Sequence, residues 1–402
     1  MQVMTEAQTY IRKADFELRD DILPFWMAHA VDPIRGGFHG ELSNDLVPDQ
    51  NADRGALLSG RILWAYAAAY RCYGLPAYRH MADTAYADLI TRFWDESCGG
   101  LFWSVGADGR VLDAQKYLFN QAFGIYALAE YARATGSQPA LDQALALFEL
   151  IEAHGSDRKG QGYIEACTRD WRPLGQARLS ETDLVAEKSL NTHLHIMEAY
   201  TGLAQVWDSP RLRGRLAATV ELMIERIVDP HTGHARHFFD GAWRPLSDRV
   251  IFGHDIETSW LLTAAAEQVG DPALLAQAEQ VALRMAEATY AEGRDIDGAL
   301  FYEADAHGLT QDQKEWWPQA EAAVGFLNAY QISGQPHFLD AALRCWDFIE
   351  QHLIDRTHGE WFKQVSCDGR PSLDEPKISF WKCPYHNTRT CLELIERLQR
   401  LG

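Results

Sequence analysis

The chain has 402 residues, 47% of them hydrophobic, with 13 Trp, which is ample material for a large core. Its net charge of −20 argues against nucleic acid or an anionic membrane surface as a partner. Seven cysteines without a CxxC pair read as reduced thiols. The N-terminal segment lacks an apolar signal core, and no run approaches the roughly 20 apolar residues of a membrane span, so the expected setting is cytoplasmic.

In chain order, a long helical pattern runs from about residue 6 to 28 and stops before Asp32-Pro33. A glycine break, Gly36-Gly37-Phe38-His39-Gly40, follows. Similar breaks recur at Gly99-Gly100, Gly162, Gly233, Gly298 and Gly359, a period of roughly 60 to 70 residues that marks a repeat architecture. After most of them comes a second turn, as at Asp108-Gly109 and Asp240-Gly241, so each unit reads as helix, short β-hairpin, helix. The helices alternate in character. Those near 77–95, 139–153, 210–228, 272–290 and 336–354 are amphipathic. Those around Leu63–Ala69, Ala122–Leu128 and Ala322–Leu327 are apolar on all sides, which places them inside. The pattern predicts an all-α fold, an (α/α)6 barrel with short β-hairpins at one end. No linker divides it, so residues 1-402 are expected to form a single domain. An open solenoid is the structural alternative.

In a closed ring, the starts of the inner helices converge on one mouth. The residues they bring are Arg61, Lys116 to Asn120, Asn191 with His195, His254 with Glu257, Trp316-Trp317 with Glu321, and Trp381 with His386. Gly253 reads as a helix N-cap, which puts His254 in the first turn and Glu257 three residues on, on the same face. His193 lies two residues from His195 and points elsewhere, so the His-x-His pair is a poor metal clamp. Tryptophans around a polar pocket suit the apolar faces of sugar rings. Two histidines on opposite faces of a substrate suit removal of a proton next to a carbonyl and its return on the other face. Arg61 can steady the resulting enediolate oxygen. No phosphate loop, GxSxG elbow or HExxH motif is present.

Arg61-Ile62-Leu63-Trp64, Asn191…His195, Gly253-His254-Asp255-Ile256-Glu257, Trp316-Trp317…Glu321 and Trp381-Lys382-Cys383-Pro384-Tyr385-His386-Asn387 together resemble the N-acylglucosamine 2-epimerase superfamily, nearest its cellobiose 2-epimerase branch. The resemblance runs through nearly the whole chain. It implies an (α/α)6 barrel, no metal or other cofactor, and 2-epimerisation of the reducing-end glucose of β-1,4 disaccharides such as cellobiose or lactose to mannose. By position it implies catalytic roles for His254 and His386 at C2. His195 would assist ring opening, and Glu257 would orient His254. Arg61 and Asn191 would bind the sugar between walls formed by Trp317 and Trp381, with Phe119 and Glu321 also in the substrate site. Members of that branch tend to carry Tyr where this chain has Phe119. A monosaccharide mannose 2-epimerase or mannose–fructose isomerase is therefore the alternative. An inverting glycoside hydrolase needs two carboxylates and finds only Glu257 and Glu321 in a histidine-rich mouth. A sugar-binding protein without turnover is the non-enzymatic reading. The expected partner is a small sugar, with the chain a monomer or homodimer.

Overall fold

The computed structural model describes residues 2–157, 159 and 161–401. Six inner helices form a ring: α3 (Ala56–Tyr73), α5 (Leu118–Thr135), α7 (Leu190–Ala204), α9 (Phe252–Val269), α11 (Trp316–Ser333) and α13 (Tyr385–Gln399). Each packs on the next, and α13 packs back on α3. The outer ring is built from α1 (Gln2–Phe16), α2 (Leu23–His29), α4 (Pro76–Asp88), α6 (Gln138–Leu150), α8 (Pro210–Leu222), α10 (Pro272–Ala288) and α12 (Pro336–Phe348). A π turn, Glu17–Ile22, joins α1 and α2 into one continuous helix, so the outer ring also counts six. The other five outer helices each carry Pro in the first two positions, where its fixed φ suits a helix start and its missing N–H costs nothing. Each ends in a π turn leading into a glycine break.

The six glycine breaks are structurally equivalent. Each is a tight turn closed by an isolated antiparallel bridge: Val31 with Phe38, Trp94 with Leu101, Ser156 with Tyr163, Val228 with Ala235, Arg294 with Leu300, and Ile354 with Trp361. At Gly233, φ is +81°, a backbone conformation in which a side chain would be strained. The strands beyond these turns are only two to four residues long, and most pair between units. Arg54–Gly55 pairs with Ser104–Val105, Lys116–Tyr117 with Ala166–Cys167, and Lys188–Ser189 with Phe238–Phe239. The expected hairpins are thus largely stitches from one repeat to the next. The last stitch joins the chain's two ends, where Leu42 N donates to Ile378 O at 3.0 Å and Ile378 N to Leu42 O at 3.2 Å. That closure, together with the packing of α13 on α3, rules out the open solenoid.

The hairpin end is held by buried ion pairs that hydrophobic periodicity does not reveal. In five of the six glycine turns the opening aspartate receives a cation from the stitch region: Asp32 from Arg54 (2.5 Å), Asp95 from Lys116 (3.1 Å), Asp157 from Lys188 (2.8 Å), Asp295 from Lys314 (2.6 Å) and Asp355 from Lys377 (2.8 Å), while Asp229 pairs with Arg236 of its own turn. All four lysines are buried. Removing one partner of such a pair strands the other charge and costs about 3–5 kcal/mol. Lys116, read from the sequence as a mouth residue, belongs to this belt.

Gly253 is not the cap of α9. The N-cap is Ile251 in extended backbone, and Gly253 is the second helical residue. Glycine stands there because α9 and α11 approach closely: a Cβ would come within 2.6 Å of the Trp317 ring and 2.9 Å of Pro318 Cβ. His254 remains in the first turn.

Candidate active site

At the hairpin end, the first turns of the inner helices surround a cavity of about 260 Å³. Arg61, Phe119, Asn191, His195, His254, Glu257, Trp317, Trp381 and His386 all line it. Glu321 lies directly behind, accepting from His386 Nδ1 at 2.6 Å. Every residue to which the family resemblance gave a role is therefore in the cavity wall or one bond behind it, whereas Lys116, Tyr117 and Asn120, from the same helix start as Phe119, lie outside the wall. The wall also holds Arg249, Tyr302, Glu315 and Lys363, which come from the connecting segments and carry no helical periodicity.

Trp317 stands between two histidines, its ring 4.8 Å from that of His254 and 5.8 Å from that of His386. Its indole N–H donates to Glu315 at 3.0 Å. Glu315 is pushed up to about 7 by burial. The Phe119 ring packs on His195 at 5.0 Å and near Trp381 at 6.1 Å. Arg61 is buried, and its guanidinium lies over the rings of Phe123 (4.2 Å) and Tyr385 (5.1 Å). No carboxylate among the described residues pairs with it, so its charge is available to a ligand oxygen.

Beneath the cavity, one guanidinium organises three carboxylates. Arg389 Nη2 donates to Glu257 and to Glu321 at 2.6 Å each, while Nη1 donates to Glu198. Glu198 in turn accepts from His195 Nδ1 at 2.8 Å and from the Tyr385 hydroxyl. Burial alone would raise the Glu321 carboxyl, but Arg389 and His386 outweigh it and hold it below the usual carboxylate range. Glu257 goes the other way, pushed up by burial and by the Glu321 charge. Burial depresses all three cavity imidazoles, His386 to about 3, which keeps them neutral near pH 7. Nδ1 of His195 and of His386 is bonded to a carboxylate, which sets the tautomer and leaves Nε2 for the cavity.

Glu257 does not orient His254. Helical spacing puts the two on one face, but Arg389, reaching across from α13, takes the carboxylate. His254 Nδ1 is buried with no protein partner. The same i, i+3 spacing does produce a contact on α7, between His195 and Glu198, which the sequence reading passed over. Arg389 had a signal too: it lies three residues after His386, one turn further down α13. His193 is structural, with Nδ1 on Ser189 O at 2.7 Å and Nε2 accepting from Tyr163 N at 2.9 Å. Glu257, Glu321 and His386 offer ligand atoms within 4.8 Å of one another, but Arg389 Nη2 already bridges the two carboxylates where a cation would sit.

The N-acylglucosamine 2-epimerase family model matches residues 36–387. The chain belongs to that family. This epimerase is 44% identical over 382 residues to the cellobiose 2-epimerase of Bacteroides fragilis, covering 94% of this chain and 97% of the relative. The structure of cellobiose 2-epimerase from Bacillus thermoamylovorans superposes with a TM-score of 0.92 at 38% identity, covering 97% of this chain and all (100%) of that one. A D-mannose isomerase shares the fold, with a TM-score of 0.81 at 20% identity and coverage of 98% and 97%. The enzyme is a carbohydrate epimerase of the isomerase class.

Proposed function

We propose that the enzyme converts the reducing-end glucose of a β-1,4-linked disaccharide to mannose, by proton transfer at C2 through an enediolate and without a metal or other cofactor. The observation that carries this reading is the pair of neutral histidines, His254 and His386, flanking Trp317 in one cavity with an unpaired arginine nearby. The 44% identity to a cellobiose 2-epimerase supports the disaccharide.

In this mechanism the sugar opens to its aldehyde, with His195 assisting. One imidazole Nε2 then removes the C2 proton while the other, protonated, stands on the opposite face. That second ring has to take up its proton from solvent as the sugar binds, against the depression that burial imposes. The charge that develops on the carbonyl oxygen is met by Arg61, whose guanidinium needs no reorganisation because aromatic rings already hold it. The second imidazolium delivers its proton to the other face, inverting C2. Asn191 would bond the sugar hydroxyls, Trp317 and Trp381 would cover the ring faces, and residues 1-402 would act as one catalytic domain. Reprotonation at C1 instead of C2 would give a little ketose.

The test is incubation with cellobiose, lactose, mannose and glucose in D2O. The expected result is a higher kcat/KM for the disaccharides and deuterium at C2 of the epimer. Product without solvent deuterium, under conditions that exclude internal return, would overturn the mechanism. Phe119 supports a second reading, since an apolar wall there removes a hydroxyl from the pocket. A clear preference for free mannose would select the monosaccharide enzyme.

A further inference from the structure

His254 and Asn191 line a second, much smaller cavity of about 20 Å³, together with Glu165, Ser189 and His237. That volume is enough for one water molecule. Three polar side-chain atoms at its lining residues are fully buried and have no protein partner: His254 Nδ1, Asn191 Oδ1 and Glu165 Oε1. Left unsatisfied, each would cost roughly 1–3 kcal/mol. Glu165 is buried and fixed at its other oxygen, where Oε2 accepts from the Ser189 and Thr192 hydroxyls at 2.9 Å each. Its free oxygen is thus held in place by the N-cap of α7.

We infer that this cavity holds a structural water that accepts from His254 Nδ1–H and donates to Asn191 Oδ1 and Glu165 Oε1, which makes Glu165 the positioning residue for His254. The donor–acceptor inventory closes. The neutral imidazole supplies one N–H, the Asn191 oxygen and the ionised Glu165 oxygen are acceptors, and a water has two hydrogens to give. Burial pushes Glu165 up to about 7, so the arrangement is complete above that pH. Its remaining acceptor site suits His237, which accepts from Ile251 N at 3.3 Å through Nε2 and therefore carries its proton on Nδ1. A proton fixed on His254 Nδ1 leaves the Nε2 lone pair for the substrate. The water-linked carboxylate then supports the imidazolium once the C2 proton has been taken. The inference rests on the proposed role of His254 at C2.

Glu165→Gln gives a directional test. Its amide oxygen can stay on the Ser189 and Thr192 hydroxyls, so the fold is kept, but an N–H now faces the cavity where an acceptor stood. The expected result is a fall in kcat for cellobiose of about tenfold or more, with KM within about threefold and an unchanged Tm. A folded Glu165→Gln enzyme with wild-type kcat would overturn the inference. So would a high-resolution crystal structure with the small cavity dry, or with His254 Nδ1 bonded directly to Asn191. Water density within about 3.2 Å of all three atoms would support it. His254→Asn separates the two levels of argument: if that variant keeps full activity, the C2 role fails, whatever Glu165 does.

Discussion

The starts of the fourth and sixth inner helices carry the same residue in the same turn, facing the same cavity, yet the two are supported differently. His386 rests directly on Glu321, which is itself held by Arg389. His254 has no carboxylate against it, and burial, followed by its neighbours His237, His195, His386 and Arg249, disfavours a positive charge on its ring. The pair is therefore asymmetric: His386 is the better place to keep a proton and His254 the better neutral base. The proposed mechanism needs one of each at the start of every turnover, and in it an unequal pair determines which direction begins ready.

The largest expected effect comes from removing either member. His254→Asn and His386→Asn should each lower turnover by at least about a hundredfold, the scale of a positioned acid–base group. Retained activity in either variant would remove that histidine from the chemistry. Measuring C2 deuterium wash-out separately from the glucose-type and mannose-type substrates would show which face each one serves. Next in size, Glu321→Gln keeps shape but takes the charge from behind His386. A fall in kcat of about tenfold or more is expected, larger for the epimer whose reaction needs protonated His386. Equal effects on both epimers would break the asymmetry.

A smaller effect appears in stability against pH. Burial holds His386 and His237 at about 3 and His193 at about 4, against 6.5 for the free side chain. As pH falls below about 6.5 the unfolded chain binds protons that the folded chain refuses, so stability present above that pH is lost toward pH 4. Each such group contributes a slope of up to about 1.4 kcal/mol per pH unit. Buried carboxylates such as Glu257 and Glu315, pushed up by burial, act in the opposite direction, so the readout is a difference. Between pH 6.5 and 5 the wild-type urea midpoint should lose ground relative to that of His386→Asn by the slope of about one proton. An unchanged slope would mean that His386 is already charged in the folded enzyme. The smallest expected effect is none: activity should survive exhaustive chelation. Loss with EDTA and recovery with a divalent ion would mean that a metal displaces Arg389 from Glu257 and Glu321.

Much of this molecule was legible in its sequence because a sixfold repeat writes itself along the chain. Glycine turns recur at a fixed period, and amphipathic helices alternate with apolar ones. Once the ring closes, the helix starts have only one place to meet, which is why Arg61, Asn191, His195, His254, Trp317, Trp381 and His386 could be gathered without coordinates. The resemblance to a known family then supplied roles that spacing alone leaves open.

The contacts behind those residues were another matter. Spacing along α9 paired His254 with Glu257, but a guanidinium from α13 binds Glu257 more strongly than a neutral imidazole would. The lysines of the hairpin belt look like surface charges in sequence and are buried only because an aspartate from a neighbouring turn meets each one. Gly253 reads as a cap and serves instead to let Trp317 approach. Local pattern determined which residues face inward and at which end, since helical period and turn chemistry act within a few residues. Which group claims each carboxylate was decided only by the tertiary structure, because Arg389 reaches Glu198, Glu257 and Glu321 from up to 191 residues away, in a buried space where a stranded charge is costly.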